Sequence, residues 1–200
     1  MNALIIVDVQ NDFCPGGALV VPEGDEIVPR INRIQRRYGL VVATQDWHPA
    51  NHGSFAANHP GRMPGETIEL AGLPQILWPV HCVQGTPGAK FHPDLNLDRI
   101  AQVFRKGTDP QIDSYSGFFD NDHRASTGLA EYLRERGVSE VHICGLATDY
   151  CVKFTALDAV GLGLETYLLA EACRGVEIHP GDVQRAIEEM QRLGVKSRVM

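Results

Sequence analysis

Short apolar runs alternate along the chain with stretches in which apolar positions recur every three or four residues. The first run, "ALIIVDV" (3–9), is β-branched and short, which predicts a buried strand. "GDEIVPRINRIQRRYG" (24–39) has helical spacing, with Asp25 as a capping side chain, Pro29 tolerated in the first turn and Gly39 as the stop. "LVVATQD" (40–46) predicts a second strand. Residues 47–96 are rich in Pro, Gly, His and Asn and predict a long, mostly loop connection, a length that usually serves function. Then come a strand at "QVFRKG" (102–107), a helix at "TGLAEYLRERG" (127–137) and a strand at "EVHICGL" (140–146). A helix over 149–162, a strand at "ETYLLAE" (165–171), a helix over 181–193 and a last strand at "KSRVM" (196–200) complete the pattern.

This strand–helix rhythm predicts an α/β fold: a three-layer α/β/α, Rossmann-like domain with a mainly parallel central sheet, formed by residues 1–200 as one unit. Composition narrows the function. An apolar fraction of 44% and a charged fraction of 22% are those of an ordinary globular protein. A net charge of −7 argues against nucleic acid or an anionic membrane as partner. No run of eighteen apolar residues is present, and "MNALIIVDVQ" lacks the basic lead of an export signal, so the expected compartment is the cytoplasm. Five cysteines, an odd number with no CxxC, predict free thiols.

In parallel sheets, ligands sit beyond the carboxyl ends of the strands. Asp8 ends the first run, Asp46-Trp47-His48 the second and Arg105-Lys106 the third, while Cys151 follows the fourth. An aspartate in an apolar strand needs a partner, either loop amides or a reacting group. Lys106 is either a solvated strand-end lysine or a cation between Asp8 and Cys151. Cys151 is either a packed thiol or a nucleophile near a helix N-terminus, where Thr148 and Asp149 are plausible caps and the dipole can lower a thiol pKa. Asp46 and His48, two apart in extended chain, share a face and make a compact pair of ligands for a divalent metal such as zinc, iron(II) or manganese. A third ligand could be His52, His59 or His81, of which His81, amid apolar and aromatic residues, is the attractive one; His92 is too distant. Cys82 reads as packing. Phe13, Trp78 and Tyr115 would suit a pocket for a small flat ring.

Together "IIVDVQNDFCPGGAL", "TQDWHPANHGSF", "WPVHCVQGTPGA", "FRKGTD", "YSGFFD" and "GLATDYCVKFTALDA" resemble, in order and over most of the chain, the nicotinamidases of the isochorismatase-like cysteine hydrolases. The resemblance implies hydrolysis of nicotinamide, and of pyrazinamide, to the acid and ammonia through a cysteine thioester, in NAD salvage. It implies a triad of Asp8, Lys106 and Cys151, and a metal held by Asp46, His48 and His81, with His52 and Glu66 as open additions. It further implies a cis peptide at Leu146–Ala147 and an oxyanion hole from the N–H groups of Ala147 and Cys151. The ring would lie between Phe13 and Trp78, near Tyr115. Competing readings are a sister amidohydrolase acting on carbamoyl or ureido compounds, and a metal-binding redox sensor using Cys151. Metal identity and oligomeric state, monomer or homo-oligomer, stay open.

Overall fold

A computed structural model describes residues 1–198. Its centre is a six-stranded sheet in the order β5-β2-β1-β6-β7-β8, every neighbouring pair parallel. The strands are β1 (Asn2–Val7), β2 (Val41–Asp46), β5 (Ile100–Lys106), β6 (Glu140–Leu146), β7 (Glu165–Arg174) and β8 (Lys196–Ser197). The helices are α1 (Val28–Ile34), α2 (Leu129–Glu135), α3 (Lys153–Gly161) and α4 (Asp182–Arg192). β1 and β6 are mostly apolar and bury nearly every residue, as strands covered on both faces must. The expected α/β architecture is the observed one. Of the expected last strand, 196–200, the final two positions lie outside the described residues.

Chain order explains where a site forms. From β1 the chain moves outward through β2 to β5, then returns to β6 beside β1 and moves the other way to β7 and β8. Right-handed crossovers therefore put α1 and α3 on opposite faces. The strand order reverses between β1 and β6, which opens a crevice at their carboxyl ends. Gly145 lets the two strands close up there: with φ of +122°, an added Cβ would lie 2.1 Å from the Val7 carbonyl oxygen.

Three local expectations differ from the structure. The helix of 24–39 is split into a 3₁₀ turn (Gly24–Ile27), α1 and a second 3₁₀ turn (Gln35–Arg37), and Asp25 makes no capping hydrogen bond. The long connection carries an antiparallel hairpin, β3 (Thr67–Leu70) and β4 (Leu73–Ile76), closed by Ala71 and Gly72 at positive φ. Its strands are four residues long and half exposed, so they lack the apolar alternation that announces a core strand. Asp8 lies just beyond β1 at φ +47°, a left-handed turn that takes the chain out of the sheet.

Candidate active site

Four strand ends deliver the charged groups. Lys106 is the last residue of β5 and pairs in register with Asp46, the last of β2. Its side chain is wholly buried, which removes the solvated-lysine alternative. Lys106 Nζ donates to Asp46 Oδ1 (2.5 Å), to the Ser114 carbonyl (2.9 Å) and to Cys151 Sγ (3.3 Å). An ammonium has three hydrogens, and these three partners use them. Asp8 Oδ2, 2.9 Å from the same nitrogen, is thus held by charge without a directed hydrogen bond. Its other oxygen accepts from the Thr44 hydroxyl (2.6 Å). Asp8 therefore offers one acceptor with no donor, beside the thiol.

The nucleophile candidate sits on a special turn. Leu146–Ala147 is cis. The Ala147 carbonyl then accepts from both Tyr150 N–H and Val152 N–H (3.1 Å each), a π turn through Thr148–Val152 that precedes α3. Neither Thr148 nor Asp149 caps the helix: Ala147 is the N-cap, and no side chain bonds the first turn. Asp149 instead accepts from Val176 N–H (2.9 Å) and Glu177 N–H (2.8 Å), tying the β7–α4 loop to the turn. The expected fall in thiol pKa is also overturned. Burial pushes Cys151 well above its ordinary value, and Lys106 offsets only part of that. Burial likewise raises Asp8, against the pull of Lys106. The other four cysteines are free and buried, as packing thiols are.

Beside this cluster, Asp46, His48 and His81 bring ligand atoms within 4.8 Å of one another, all three buried. His48 Nε2 lies 3.6 Å and His81 Nε2 3.8 Å from Asp46 Oδ2. Each ring is fixed through its other nitrogen, His48 Nδ1 on the Gly107 carbonyl and His81 Nδ1 on the Pro79 carbonyl (2.8 Å each). Backbone acceptors that fix the tautomer and aim the free nitrogen are what a metal-ligating histidine has. Burial and the neighbouring His48 hold His81 down to about 4, so its ring is neutral and able to ligate. Lys106 and His48 outweigh burial at Asp46 and keep its carboxyl well below the usual range. The residues fit a divalent cation. His52 packs 4.3 Å from His48 with Nε2 unpartnered, and forms a second possible group with His48 and Asp113. Glu66 is elsewhere, paired with Arg62 at 3.0 Å, and His59 bonds the Gly53 carbonyl as an ordinary loop histidine.

A narrow cleft runs from the Asp46, His48 and His81 cluster to Cys151. Phe13, Trp78 and Tyr115 wall it, with Asp46, His48, His81, Ala147 and Cys151 in the lining. Leu19, Asp113, Tyr150 and Val176 also line it, and sequence reasoning missed all four. It also missed Thr44 and Gln10. Thr44 is two residues before Asp46 in β2 and so shares its face, a signal the period of a strand carries. Gln10 brackets Asp46, donating to its carbonyl and accepting from its N–H (2.8 Å each).

The sequence model of the isochorismatase domain matches residues 2–198. The chain belongs to the isochorismatase family of hydrolases. Within this family it is similar to the nicotinamidase of Escherichia coli K12, 53% identical over 96% of this chain and 92% of the relative. A solved nicotinamidase–pyrazinamidase of Acinetobacter baumannii superposes with a TM-score of 0.95 at 52% identity, covering 98% of this chain and 94% of that one. A pyrazinamidase of Pyrococcus horikoshii, solved with zinc, gives 0.81 at 45% identity, covering 100% and 99%. For this isochorismatase-family chain, no described helix is long and apolar enough to cross a membrane.

Proposed function

We propose that this hydrolase deamidates nicotinamide, and its analogue pyrazinamide, to the carboxylate and ammonia. One observation carries the reading: a buried Lys106 Nζ lies 2.9 Å from Asp8 and 3.3 Å from Cys151, and Cys151 lines a cleft walled by flat rings. The identities and TM-scores above support it, since those relatives carry this activity in their names. The flat aromatic walls of the cleft suit a single-ring carboxamide. The family match to 2–198, and a sheet drawing strands from Asn2 to Ser197, support treating residues 1–200 as one catalytic unit. The reaction belongs to cytoplasmic NAD salvage in this reading.

In the mechanism, the ring lies between Phe13 and Trp78, near Tyr115, with its carboxamide over Cys151. Asp8 Oδ2 accepts the Cys151 proton as sulfur bonds the amide carbon. The thiol is neutral at rest because burial holds its pKa up, so proton loss accompanies attack. Lys106 stays charged, its pKa raised well above ordinary by Asp46 and Asp8 in spite of burial, and offsets the negative charge as it moves from Asp8 to sulfur. The N–H groups of Ala147 and Cys151 take the oxyanion. Asp8 returns the proton to the departing nitrogen, the C–N bond breaks, and ammonia leaves a thioester. Asp8 then takes a proton from water, whose oxygen attacks the thioester, and the thiol is restored with release of nicotinate. Asp46, His48 and His81 would hold one divalent cation: zinc, iron(II) or manganese. When bound, the cation supplies a Lewis-acid point for the ring nitrogen.

The test is ammonia release from nicotinamide, pyrazinamide and ureido amides, with metal analysis of the same sample. Release from the ureido compounds alone would sink the reading and favour a sister amidohydrolase.

Two predictions follow from this geometry. Gly107 sits at φ +64°, and an added Cβ would meet the His48 ring at 2.3 Å. Gly107→Ala is expected to tilt His48 out of the ligand set and lower bound metal by about 10–100-fold in affinity, the usual cost of disturbing such support. Full metal content in that variant counts against His48 as a ligand. The second concerns pH. Since Asp8 is raised above 3.8 by burial, it gains its proton at a higher pH than an ordinary carboxylate. Protonated Asp8 cannot accept from Cys151, so kcat/KM, measured with metal in excess, falls as pH falls, with its midpoint above 3.8. A profile flat down to that value would remove Asp8 as the base.

A further inference from the structure

The β3–β4 hairpin is mostly exposed, yet it buries one polar side chain, Gln75, which is 3% exposed. A buried amide needs partners, and those of Gln75 are informative. Its Nε2 carries two hydrogens and has three acceptors within reach: the Ile76 carbonyl (2.7 Å), Asp113 Oδ2 (3.0 Å) and the Tyr115 hydroxyl oxygen (3.1 Å). The Tyr115 oxygen also accepts from Trp78 Nε1 (3.1 Å). That phenol oxygen is thus approached by two donor groups, the hairpin amide and the Trp78 indole. Asp113 is held from its other side by the Ser114 N–H (2.8 Å). Two cleft-lining residues, Tyr115 and Asp113, therefore meet one side chain that is not itself in the lining, and a third, Trp78, bonds the same Tyr115 oxygen. The hairpin is anchored independently at its tip, where Leu70 lies close enough to Gly53 that an added Cβ there would meet it at 2.7 Å. It leads directly through Leu77 into Trp78, and Trp78 N–H donates to the Ser54 carbonyl (2.8 Å) of the loop that bears His52.

We propose that Gln75 is a positioning residue: it sets the ring-binding walls Tyr115 and Trp78, so substrate affinity depends on the β3–β4 hairpin while the chemical step does not. Gln75 has no contact with Asp8, Lys106 or Cys151, whose partners are one another, Thr44, Asp46 and Ser114. Loss of the amide takes its hydrogens away from Asp113 Oδ2 and the Tyr115 oxygen in a buried site, which frees Tyr115 to turn and, through the shared oxygen, Trp78. The proposal rests on the nicotinamidase reading.

The test compares Gln75→Leu, Tyr115→Phe and the double variant with the parent in steady-state ammonia release from nicotinamide. Gln75→Leu is expected to raise KM about tenfold, the scale of one lost buried hydrogen bond, with kcat within about twofold. In the Tyr115→Phe background, whose ring lacks the shared oxygen, the same change is expected to raise KM further by much less, because the two side chains act through one contact. Gln75→Asn, which keeps the amide at shorter reach, is expected to lie between. An unchanged KM in Gln75→Leu, a fall in kcat without a rise in KM, or fully additive effects in the double variant would each overturn the proposal. Near-UV circular dichroism reports whether each variant is folded; if Gln75→Leu is not, the Gln75→Asn KM decides: a raised KM with kcat kept supports the proposal and an unchanged KM overturns it. A parent that releases no ammonia would instead sink the nicotinamidase reading itself.

Discussion

Replacing Cys151 by alanine is expected to lower ammonia release from nicotinamide by about four orders of magnitude or more while leaving the protein folded. The size follows from the role. Without sulfur no covalent intermediate forms, and Asp8 and Lys106 have no nucleophile to serve. Survival of the fold follows from the packing. The thiol is small, its loss removes one 3.3 Å contact with Lys106, and Lys106 keeps Asp46, Ser114 and the charge of Asp8. Cys151→Ser is expected to be nearly as inactive, since burial already holds a thiol proton firmly and an alcohol holds it more so. The positive counterpart is trapping. Parent enzyme quenched during turnover should carry the mass of one nicotinoyl group on Cys151, and Cys151→Ala none. An alanine variant with more than a trace of amidase activity, or a label on one of the other four cysteines, would exclude the thioester route.

Much of this arrangement was legible in the chain because strands end where chemistry begins. The apolar runs placed β1, β2, β5 and β6 to within two residues at either end, and the reversal of strand order at β1 and β6 brings their ends together. Asp8, Asp46 and Lys106 could be picked out as charged residues at the ends of apolar runs, and Cys151 as the thiol just after the fourth run. What stayed hidden lies in loops or depends on burial. Asp113 and Val176 reach the cleft from segments with no periodicity, so nothing in their spacing marks them. The hairpin that carries Gln75 is too short and too exposed to read as strand. The direction of the Cys151 pKa was misjudged for a different reason. Sequence shows which charges are near, but the first cause of the shift is burial, and burial belongs to the folded site.

Lys106→Met is expected to carry the largest cost in stability as well as abolish turnover. Asp8 and Asp46 are both buried, and Lys106 is the cation that lies within 2.9 Å of the one and 2.5 Å of the other. Removing it leaves two carboxylates facing each other in a low-dielectric site, and breaking a buried pair in this way costs about 3–5 kcal/mol. The sign of the pH dependence separates this cause from lost packing. Without Lys106, burial and Asp46 act on Asp8 against the Thr44 hydroxyl alone, so its folded pKa rises further above the unfolded value. A carboxyl raised in the folded state binds its proton more tightly there, so folding gains from protonation and loses as pH rises through the folded pKa. The deficit of Lys106→Met relative to the parent should therefore be greatest at pH above that folded pKa and shrink as pH falls through it toward the unfolded value. Urea melts across that range measure it. Asp8→Asn in the same chain should restore much of the stability at high pH and none of the activity, because it removes one of the two facing charges and with it the base. A deficit that does not change with pH, or one that Asp8→Asn leaves untouched, would mean that Lys106 matters through the packing of its methylenes and not as the charge that lets Asp8, Asp46 and Cys151 share one buried site.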